Sequence, residues 1–208
     1  MTTTTPRILP VTGDEVLRYL PDVARLRIAV FREFPYLYDG HVEYERQYLE
    51  TYAGSPGSVV VLALAGDEVV GASTALPMVH EPESISARFR EKGWDITRIF
   101  YYGESVLLPE WRRHGLGVAF FVEREAHARR LGGFAHAVFC GVDRPPDHPR
   151  RPAGYQPLDA FWRRRGFAPL PGITCTMSWQ DLDESTESPK LMRFWGKDLS
   201  QPANEPAP

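Results

Sequence analysis

The sequence has few cysteines, no long hydrophobic run and no surplus of positive charge. Only Cys140 and Cys175 are cysteines among its 208 residues, and their spacing matches neither a CxxC motif nor a metal site. Two isolated cysteines fit a reducing compartment, where they serve as small core residues. We therefore expect a cytoplasmic protein without a disulfide framework and without a metal.

The charge balance and the hydropathy pattern argue against two classes of partner. The chain has 24 Lys and Arg against 27 Asp and Glu, a net charge of -3, whereas a nucleic-acid-binding domain usually has a basic excess. No apolar run reaches the ~18 residues that a membrane span requires. The first residues, MTTTTPRILP, lack the basic and then apolar segments of a signal peptide. We expect neither a nucleic-acid partner nor a membrane partner.

Length and composition suit one globular domain with short extensions. Hydrophobic residues make up 43% of the chain and charged residues 25%, close to the average for soluble domains. We predict an N-terminal disordered tail at 1–6, a single domain at 7–181 and a C-terminal arm at 182–208. The arm is predicted because this segment is polar apart from the run LMRFW. The oligomeric state is left open between a monomer and a homodimer.

The order of hydrophobic patterns predicts a mixed sheet flanked by helices. Two helical patterns come first, and SVVVLALAGDEVVGASTALP then reads as a β-hairpin. DITRIFYYGESVLL is rich in β-branched and aromatic residues and predicts a long central strand. A helix, the apolar strand FAHAVFCGV, a short helix and the strand ITCTMSWQDL follow. Such an order mixes parallel and antiparallel connections.

The helix after the central strand has one apolar stripe, which begins at Leu116. Its charged positions fall outside that stripe, so we place them on the solvent face. These positions are Glu123, Arg124, Arg129 and Arg130.

The stretch PEWRRHGLGVAFF joins the central strand to this helix and combines cations with glycines. A helix N-terminus has free backbone N–H groups and a partial positive charge, and both favour anions. Gly115 and Gly117 remove side chains that would keep a phosphate from the backbone, and Arg112 and Arg113 add positive charge. The stretch predicts a phosphate or pyrophosphate cradle; the alternative is a tight turn with solvated arginines.

Two common phosphate-binding motifs do not fit this stretch. The P-loop pattern GxxxxGK[ST] is missing from the sequence. A dinucleotide fingerprint, GxGxxG, needs a third glycine where Phe120 stands. A nucleotide-dependent enzyme therefore stays a disfavoured alternative.

Two blocks resemble the GNAT superfamily of acyl-CoA-dependent N-acetyltransferases. VLLPEWRRHGLG resembles its acyl-CoA-binding motif, with Arg112, Gly115 and Gly117 at the matching positions. DAFWRRRGF resembles the superfamily's later helix, in which an aromatic pair, here Phe161 and Trp162, precedes a Gly-Phe. The resemblance extends over roughly residues 7 to 180.

This resemblance implies the GNAT fold, a mixed, splayed sheet of six to seven strands with helices on both faces. It implies acetyl-CoA as the acyl donor, with its pantetheine arm in the split of the sheet and its pyrophosphate on backbone N–H groups from Arg113 to Val118. The implied cofactor-binding residues are Val106, Leu107, Leu108, Arg112, Arg113, His114, Gly115, Leu116, Gly117, Val118, Phe161 and Trp162.

The implied reaction is the direct attack of an amine on the thioester, with a base for the amine proton and an acid for the leaving thiolate. Glu104, on the central strand, is the candidate base; the alternatives are an ion pair with a nearby arginine and a solvent-facing side chain. Many superfamily members place a tyrosine acid where this chain has Trp162, whose indole cannot serve. Tyr155 is the candidate acid, and otherwise the thiolate leaves unassisted.

The aromatic segment FREFPYLYDGHVEY lies where the superfamily covers its acceptor site. Its Phe34, Tyr36 and Tyr38 are candidate pocket residues, and strand alternation adds Tyr102 on the face of Glu104. Such a cluster suits a compact amine; the alternative is ordinary core beneath a loop. The predicted function is acetyl transfer to the amine of a small molecule, and the alternative is a non-catalytic acyl-CoA-binding or regulatory module.

Overall fold

The chain is built around one β-sheet that has helices on both faces. The structure is a computed structural model and describes residues 5–200. Its strands are β1 (Arg7–Val11), β2 (Val59–Ala65), β3 (Glu68–Pro77), β4 (Ile99–Leu107), β5 (His136–Val142), β6 (Ala168–Trp179) and β7 (Ser188–Asp198). Its α-helices are α1 (Leu20–Phe31), α2 (Val42–Gly54), α3 (Glu83–Arg90), α4 (Leu116–Leu131) and α5 (Asp159–Arg163).

Within residues 5–200, seven strands form the sheet in the order β1-β2-β3-β4-β5-β7-β6. Neighbours are antiparallel except β4 and β5, which are parallel and are joined by α4. Leu26 of α1, Leu49 of α2 and Phe89 of α3 are buried on one face, the α1–α3 face. Phe120 of α4 and Phe161 of α5 pack on the other, the α4–α5 face. The predicted mixed fold of six to seven strands is confirmed.

The two parallel strands are paired only at their beginnings. The ladder between β4 and β5 runs from Ile99–His136 to Tyr101–Val138 and then stops. Beyond these pairs, β4 continues to Leu107 and β5 to Val142 without pairing to each other. A split therefore opens toward the carboxyl ends of both strands, where α4 begins.

A β-bulge in β4 decides which side chains face the two sides of this split. Ser73 lies opposite Ser105 and Ala75 opposite Tyr102, so that Thr74 faces both Gly103 and Glu104. The extra residue reverses the alternation of side chains. Glu104 consequently shares the α1–α3 face with Tyr101, and the prediction that it shares a face with Tyr102 is wrong.

Gly103 cannot be replaced at this bulge without displacing its neighbours. A Cβ atom at Gly103 would lie 2.2 Å from Tyr52 Oη and 2.5 Å from Thr74 Oγ1. Thr74 Oγ1 also accepts a hydrogen bond from the Glu104 N–H, at 3.2 Å. The bulge thus depends on side chains from α2 and β3.

The C-terminal segment is part of the sheet and does not form a separate arm. β7 lies between β5 and β6 and pairs with both. Its charged residues have partners, since Lys190 is ion-paired with Asp181 and Arg193 with Asp143. The prediction of an arm at 182–208 is therefore wrong for residues 188–198, and the sheet extends past the predicted domain end at 181.

Part of the predicted tails falls outside the described residues, namely 1–4 of the N-terminal tail and 201–208 of the C-terminal arm. Thr5 and Pro6 precede β1 without regular secondary structure. Among the helices between residues 5 and 200, none is long and apolar enough to cross a membrane.

Candidate active site

The turn between β4 and α4 is held by a short series of backbone hydrogen bonds. The N–H groups of Leu108, Trp111 and Arg112 donate to Val70 O, Leu108 O and Pro109 O, at 3.1, 3.0 and 3.1 Å. The chain then adopts positive φ angles of 68° at Arg113 and 78° at Gly115. A left-handed residue at the helix start favours glycine, which accounts for Gly115.

The start of α4 offers a row of unused backbone donors. The N–H groups of residues 113–117 donate no hydrogen bond within the part of the chain that the structure describes, and the first turn has no acidic side chain. A Cβ on Gly117 would meet only Phe161, at 3.6 Å, so the backbone is open. This arrangement suits the binding of a phosphate or pyrophosphate. Val118, the last of the predicted donors, instead donates its N–H to Gly115 O, at 2.9 Å.

The cations of this turn have different surroundings. Arg112 Nε donates to Leu107 O at 3.2 Å, and Arg112 Nη1 is ion-paired with Glu33 at 2.8 Å. Arg112 therefore supports the turn and ties it to the loop between α1 and α2. Arg113 and His114 are exposed beside the free donors.

The other residues predicted to bind the cofactor line the split or support it. Val106 is buried on the α1–α3 face, and Leu107 packs on the α4–α5 face. Leu108 touches both cores, and Leu116 is buried beneath the start of α4. The β4 backbone at residues 102–107 keeps an unpaired edge toward β5.

Helix α5 brings its aromatic pair against the same region. The ring of Phe161 lies 5.8 Å from that of Phe121. The ring of Trp162 lies 5.0 Å from those of Phe139 and Trp195. Its edge is 3.1 Å from the position of a Cβ on Gly141, so a larger residue there would press against Trp162. Trp162 thus fills the space beside β5 on the α4–α5 face.

Arg124 of α4 is buried, and the prediction that it faces solvent is wrong. Its guanidinium donates to Thr74 O at 3.3 Å, to Glu104 O at 3.2 Å and to Ser105 Oγ at 3.0 Å. It also lies 4.3 Å above the Tyr102 ring. Burial lowers the pKa of Arg124 to about 10. The bulge places carbonyl groups that need donors, and Arg124 supplies them.

On the α1–α3 face, Glu104 belongs to a buried cluster of ionised and phenolic groups. Arg27 Nη1 is ion-paired with Glu104 Oε2 at 2.8 Å, and its Nε is ion-paired with Glu45. The Tyr48 hydroxyl donates to Glu104 Oε2 at 3.0 Å and lies 2.9 Å from the Tyr52 hydroxyl. Burial alone would lower the pKa of Arg27, but the two carboxylates and Tyr48 raise it well above its usual value.

Only one oxygen of Glu104 is engaged by side chains. Glu104 Oε1 is buried and accepts no hydrogen bond from any described residue. A buried acceptor without a partner is costly. This oxygen is therefore free to accept a hydrogen bond from an N–H group.

The candidate acid, Tyr155, lies in the long loop between β5 and α5. Its ring meets that of Phe34 edge-on at 4.7 Å, and the Arg151 guanidinium lies 5.0 Å above it. Burial raises the pKa of Tyr155. The structure thus brings Tyr155 together with one of the predicted pocket residues, Phe34.

The predicted pocket residues divide into two groups. The Tyr36 ring lies 4.5 Å from that of Phe31 and 5.9 Å from that of Trp179, and burial raises the pKa of Tyr36. The pKa of Tyr38 is raised mainly by burial, with a contribution from the charge of Glu45. Tyr102, in contrast, is buried on the α4–α5 face, so its prediction as a pocket residue is wrong.

The loop that carries Phe34, Tyr36 and Tyr38 is fastened to the far side of the split. Arg144 donates to Tyr36 O at 2.8 Å and is ion-paired with buried Asp181 at 2.8 Å. Two backbone hydrogen bonds strengthen this attachment. The Asp39 N–H donates to Gln180 O at 3.0 Å, and the Leu182 N–H donates to Leu37 O at 2.8 Å. The loop therefore covers the α1–α3 side of the split.

Glu81 is a candidate functional residue that the sequence analysis missed. It is half-buried, and its carboxylate makes no hydrogen bond or ion pair with the residues from 5 to 200. Burial, with a contribution from the charge of Glu104, raises the pKa of Glu81 to about 8. Its polar sequence context, HEPES, carries no signal of burial. No group of three His, Cys, Asp or Glu that could hold a metal occurs in the described residues.

The sequence matches no family model and no curated protein, but the fold matches solved acetyltransferases. NAA60 of Arabidopsis thaliana, solved with acetyl-CoA, is 12% identical with a TM-score of 0.60 and covers 95% of this chain and 100% of its own. Ribosomal-protein-alanine N-acetyltransferase of Brucella melitensis is 17% identical, with a TM-score of 0.59 and coverages of 91% and 99%. A GNAT-family acetyltransferase of Streptococcus pneumoniae is 13% identical, with a TM-score of 0.55 and coverages of 93% and 99%. At these identities the similarity shows the fold.

Proposed function

We propose that this chain, which has the GNAT fold, is an acetyl-CoA-dependent N-acetyltransferase that acts on the amine of a small molecule. One observation carries the proposal. The split between β4 and β5 runs from the free N–H groups at the start of α4 to the buried cluster around Glu104. An anion site, an unpaired strand edge and a buried carboxylate thus lie along one path.

Acetyl-CoA fits this path in one direction. The pyrophosphate would lie on the free N–H groups of residues 113–117, near exposed Arg113. The pantetheine amides would pair with the unpaired edge of β4 at residues 106–108, and Phe161 and Trp162 would border the arm. The thioester would then lie where β4 and β5 separate.

The acceptor would approach from the α1–α3 face. Its amine would attack the thioester carbonyl, so that the C–N bond forms, the C–S bond breaks and the thiolate leaves. Glu104 Oε1 would accept a hydrogen bond from the amine, since it is the carboxylate oxygen without a partner there. Tyr155 stays the proposed proton donor, because Trp162 has no acidic proton to give.

The covered site favours a compact acceptor. The loop with Phe34, Tyr36 and Tyr38 is tied down through Arg144 and Asp181, which narrows the approach to Glu104. The similar structure from Brucella melitensis is named as a ribosomal-protein-alanine N-acetyltransferase. The test therefore includes peptides as acceptors. The assay is thiol release from acetyl-CoA over a panel of small amines and N-terminal peptides. Release with small amines supports the proposal, and binding of acetyl-CoA without release to any acceptor supports the non-catalytic alternative.

A Gly117→Asp substitution tests the cradle separately from folding. A carboxylate in the first turn is favourable to the helix, so we expect unchanged thermal stability. Each hydrogen bond to a charged group contributes about 1.5–3 kcal/mol. Because the carboxylate repels a pyrophosphate and takes its donors, we expect acetyl-CoA affinity to fall about 100-fold or more. Calorimetry measures it.

Val42→Asp is the matched control for this charge change. Val42 is the first residue of α2 and is 67% exposed. We expect its acetyl-CoA affinity to equal that of the wild type. An equal loss in both variants would show that net charge, and not the cradle, determines binding.

A Glu104→Gln substitution tests the carboxylate at the split. We expect kcat/KM for amines to fall about 10- to 100-fold, since a hydrogen bond to a charged group contributes about 1.5–3 kcal/mol. Acetyl-CoA affinity should stay unchanged. Glu50→Gln on α2, where the carboxylate is 51% exposed, is the control. Equal activity of Glu104→Gln and the wild type would remove Glu104 from the reacting centre.

The cytoplasmic location and the choice between monomer and homodimer stay predictions from the sequence.

A further inference from the structure

Glu81 is a half-buried carboxylate that has no hydrogen-bond or ion-pair partner among residues 5–200. It follows a single 3-10 turn, Met78–His80, at the end of β3, and its own N–H donates to Met78 O at 3.0 Å. Its neighbour in sequence Glu83, in contrast, is exposed and ion-paired with Arg90. The fold thus places one carboxylate of this segment against the sheet and the next in solvent.

Titratable groups of α2, β4, β5 and β6 interact with Glu81 on the α1–α3 face. Glu81 interacts electrostatically with Glu104 and Tyr101 of β4 and with Tyr48 and Tyr52 of α2. It also interacts with Cys140 of β5 and Cys175 of β6. The Tyr101 hydroxyl lies 3.2 Å from Cys140 Sγ, which spans β4 and β5 where the split begins. The end of β3, just before this segment, pairs at Pro77 with Phe100 of β4, one residue before the β4–β5 ladder ends at Tyr101. Glu81 therefore lies near the beginning of the split, where the thioester is proposed to lie.

The two carboxylates of this site differ in what they are able to do. Glu104 is ion-paired with Arg27 and accepts the Tyr48 hydroxyl, so a proton on Glu104 would disrupt an existing ion pair. Glu81 has no such partner, and a proton on it disrupts nothing. An ion-paired carboxylate is suited to holding a cation, and an unpaired one to exchanging protons.

We propose that Glu81 takes the proton from the acceptor while Glu104 Oε1 holds it, and that the acceptor therefore enters as a primary alkylammonium ion. This inference rests on the proposed function. It assigns a catalytic role to a residue outside both family-like blocks. It also names the acceptor class, because two carboxylates and a surrounding of tyrosines favour a compact cation.

The protons and electrons balance with these groups. The ammonium gives one proton to the Glu81 carboxylate and becomes a neutral amine. Its lone pair forms the C–N bond to the thioester carbon, and the C–S electron pair leaves on sulfur. The second N–H proton passes from the tetrahedral intermediate to the thiolate, directly or through Tyr155, which gives the amide and free CoA. Glu81 then releases its proton to water.

The pH dependence follows from the environment of Glu81. Burial, with the charge of Glu104 adding to it, raises its pKa to about 8, so Glu81 becomes a proton acceptor as the pH rises through that value. Burial also raises the pKa of Tyr48, Tyr52 and Tyr101, which stay neutral in this range. We expect kcat/KM to increase with pH and to level off near pH 8.

The test compares the pH profile of thiol release in the wild type and in Glu81→Gln, with the most active unbranched primary alkylamine of the panel. We expect Glu81→Gln to lower kcat/KM about 10²- to 10⁴-fold near pH 8. The remaining activity of Glu81→Gln should increase only as the pH approaches the pKa of the amine in solution, where the acceptor is already deprotonated. Glu83→Gln, in the same segment, should keep the wild-type profile.

Cys175→Ser removes a competing explanation for the titration, because the interaction with Cys140 lowers the pKa of the Cys175 thiol. We expect kcat/KM of Cys175→Ser to increase with pH and to level off near pH 8, as in the wild type. The inference would be overturned if the increase of kcat/KM toward pH 8 disappeared in Cys175→Ser and persisted in Glu81→Gln. Unchanged acetyl-CoA affinity in both variants excludes a loss of folding.

A second readout needs no acceptor. The folded-state pKa of Glu81 lies above its usual 4.5, so the neutral carboxyl group favours the folded state. Wild-type stability should therefore fall, relative to Glu81→Gln, as the pH rises from about 4.5 to about 8. A constant difference in unfolding free energy over this range contradicts the inference.

The two proposals fail in different ways. If the wild type acetylates amines and Glu81→Gln keeps the wild-type pH profile, this inference falls and the proposed function stands. If none of the amines or peptides in the panel causes the wild type to release thiol from acetyl-CoA, both proposals fall.

Discussion

Replacing Arg27 by methionine is expected to lower the free energy of unfolding by about 3–5 kcal/mol, the usual effect of breaking a buried ion pair. Arg27 is the shared partner of Glu45 and Glu104, which are 0% and 6% exposed. Methionine fills much of the volume but leaves both carboxylates buried without a cation. Urea unfolding near neutral pH measures the difference.

The double variant Arg27→Met/Glu45→Gln separates charge from packing. We expect it to recover part of the lost stability, because one of the two unpaired charges is gone. The deficit of the single variant should also shrink at acidic pH, where a neutral carboxyl group is easier to bury. Arg46→Met on α2, whose arginine is 57% exposed, should change stability by less than about 1 kcal/mol. Equal effects of the two single variants would contradict the ion-pair account.

Replacing Arg124 by methionine is expected to lower the free energy of unfolding by about 3 kcal/mol or more, again measured by urea unfolding. Its guanidinium serves Thr74 O and Glu104 O, the carbonyl groups at the bulge, as well as Ser105 Oγ. Each buried polar group left without a partner costs about 1–3 kcal/mol. Arg124 thus stabilises β4 in the conformation that presents Glu104.

Two further variants check that the donors, and not the charge, carry this effect. Lysine keeps the charge of Arg124 but not its five donors in a fixed plane, so Arg124→Lys should lie between methionine and the wild type. Arg130→Met, at an exposed position of the same helix, should change stability little. A stability of Arg124→Met equal to that of the wild type would contradict a supporting role for Arg124.

The fold and the turn between β4 and α4 could be predicted from the sequence because their signals are local. Strand, turn and helix follow one another within PEWRRHGLGVAFF, and Gly115 takes the left-handed conformation that its position requires. β4 is also rich in β-branched and aromatic residues. The prediction of acetyl-CoA as the cofactor came from the resemblance of two sequence blocks to the GNAT superfamily.

The proposed reacting face depends on non-local contacts, which local patterns do not report. The bulge at Gly103 and Glu104 is set by pairing with β3 and turns Glu104 away from Tyr102. Arg124 lies four residues from Phe120 and from Ala128, so its spacing matched the buried stripe, but its charge argued for solvent. Its acceptors are carbonyl groups in other elements, and a sequence pattern does not reveal them.

β7 and Glu81 were missed for a related reason. Lys190 and Arg193 make β7 look polar, although each is ion-paired with a residue distant in sequence. Glu81 has no apolar pattern around it, and it becomes half-buried only through the fold of the segment that follows β3. Charged residues in such places are recognised by what surrounds them.

The central claim is that the split between β4 and β5 holds CoA by its backbone. The most direct measurement is backbone amide NMR of the full chain as CoA is added. We expect the largest shifts at the N–H groups of residues 113–117 and along β4 at residues 106–108. Shifts centred instead on the surface depression beside Trp94 and His136, or no shifts at saturating CoA, would contradict the claim.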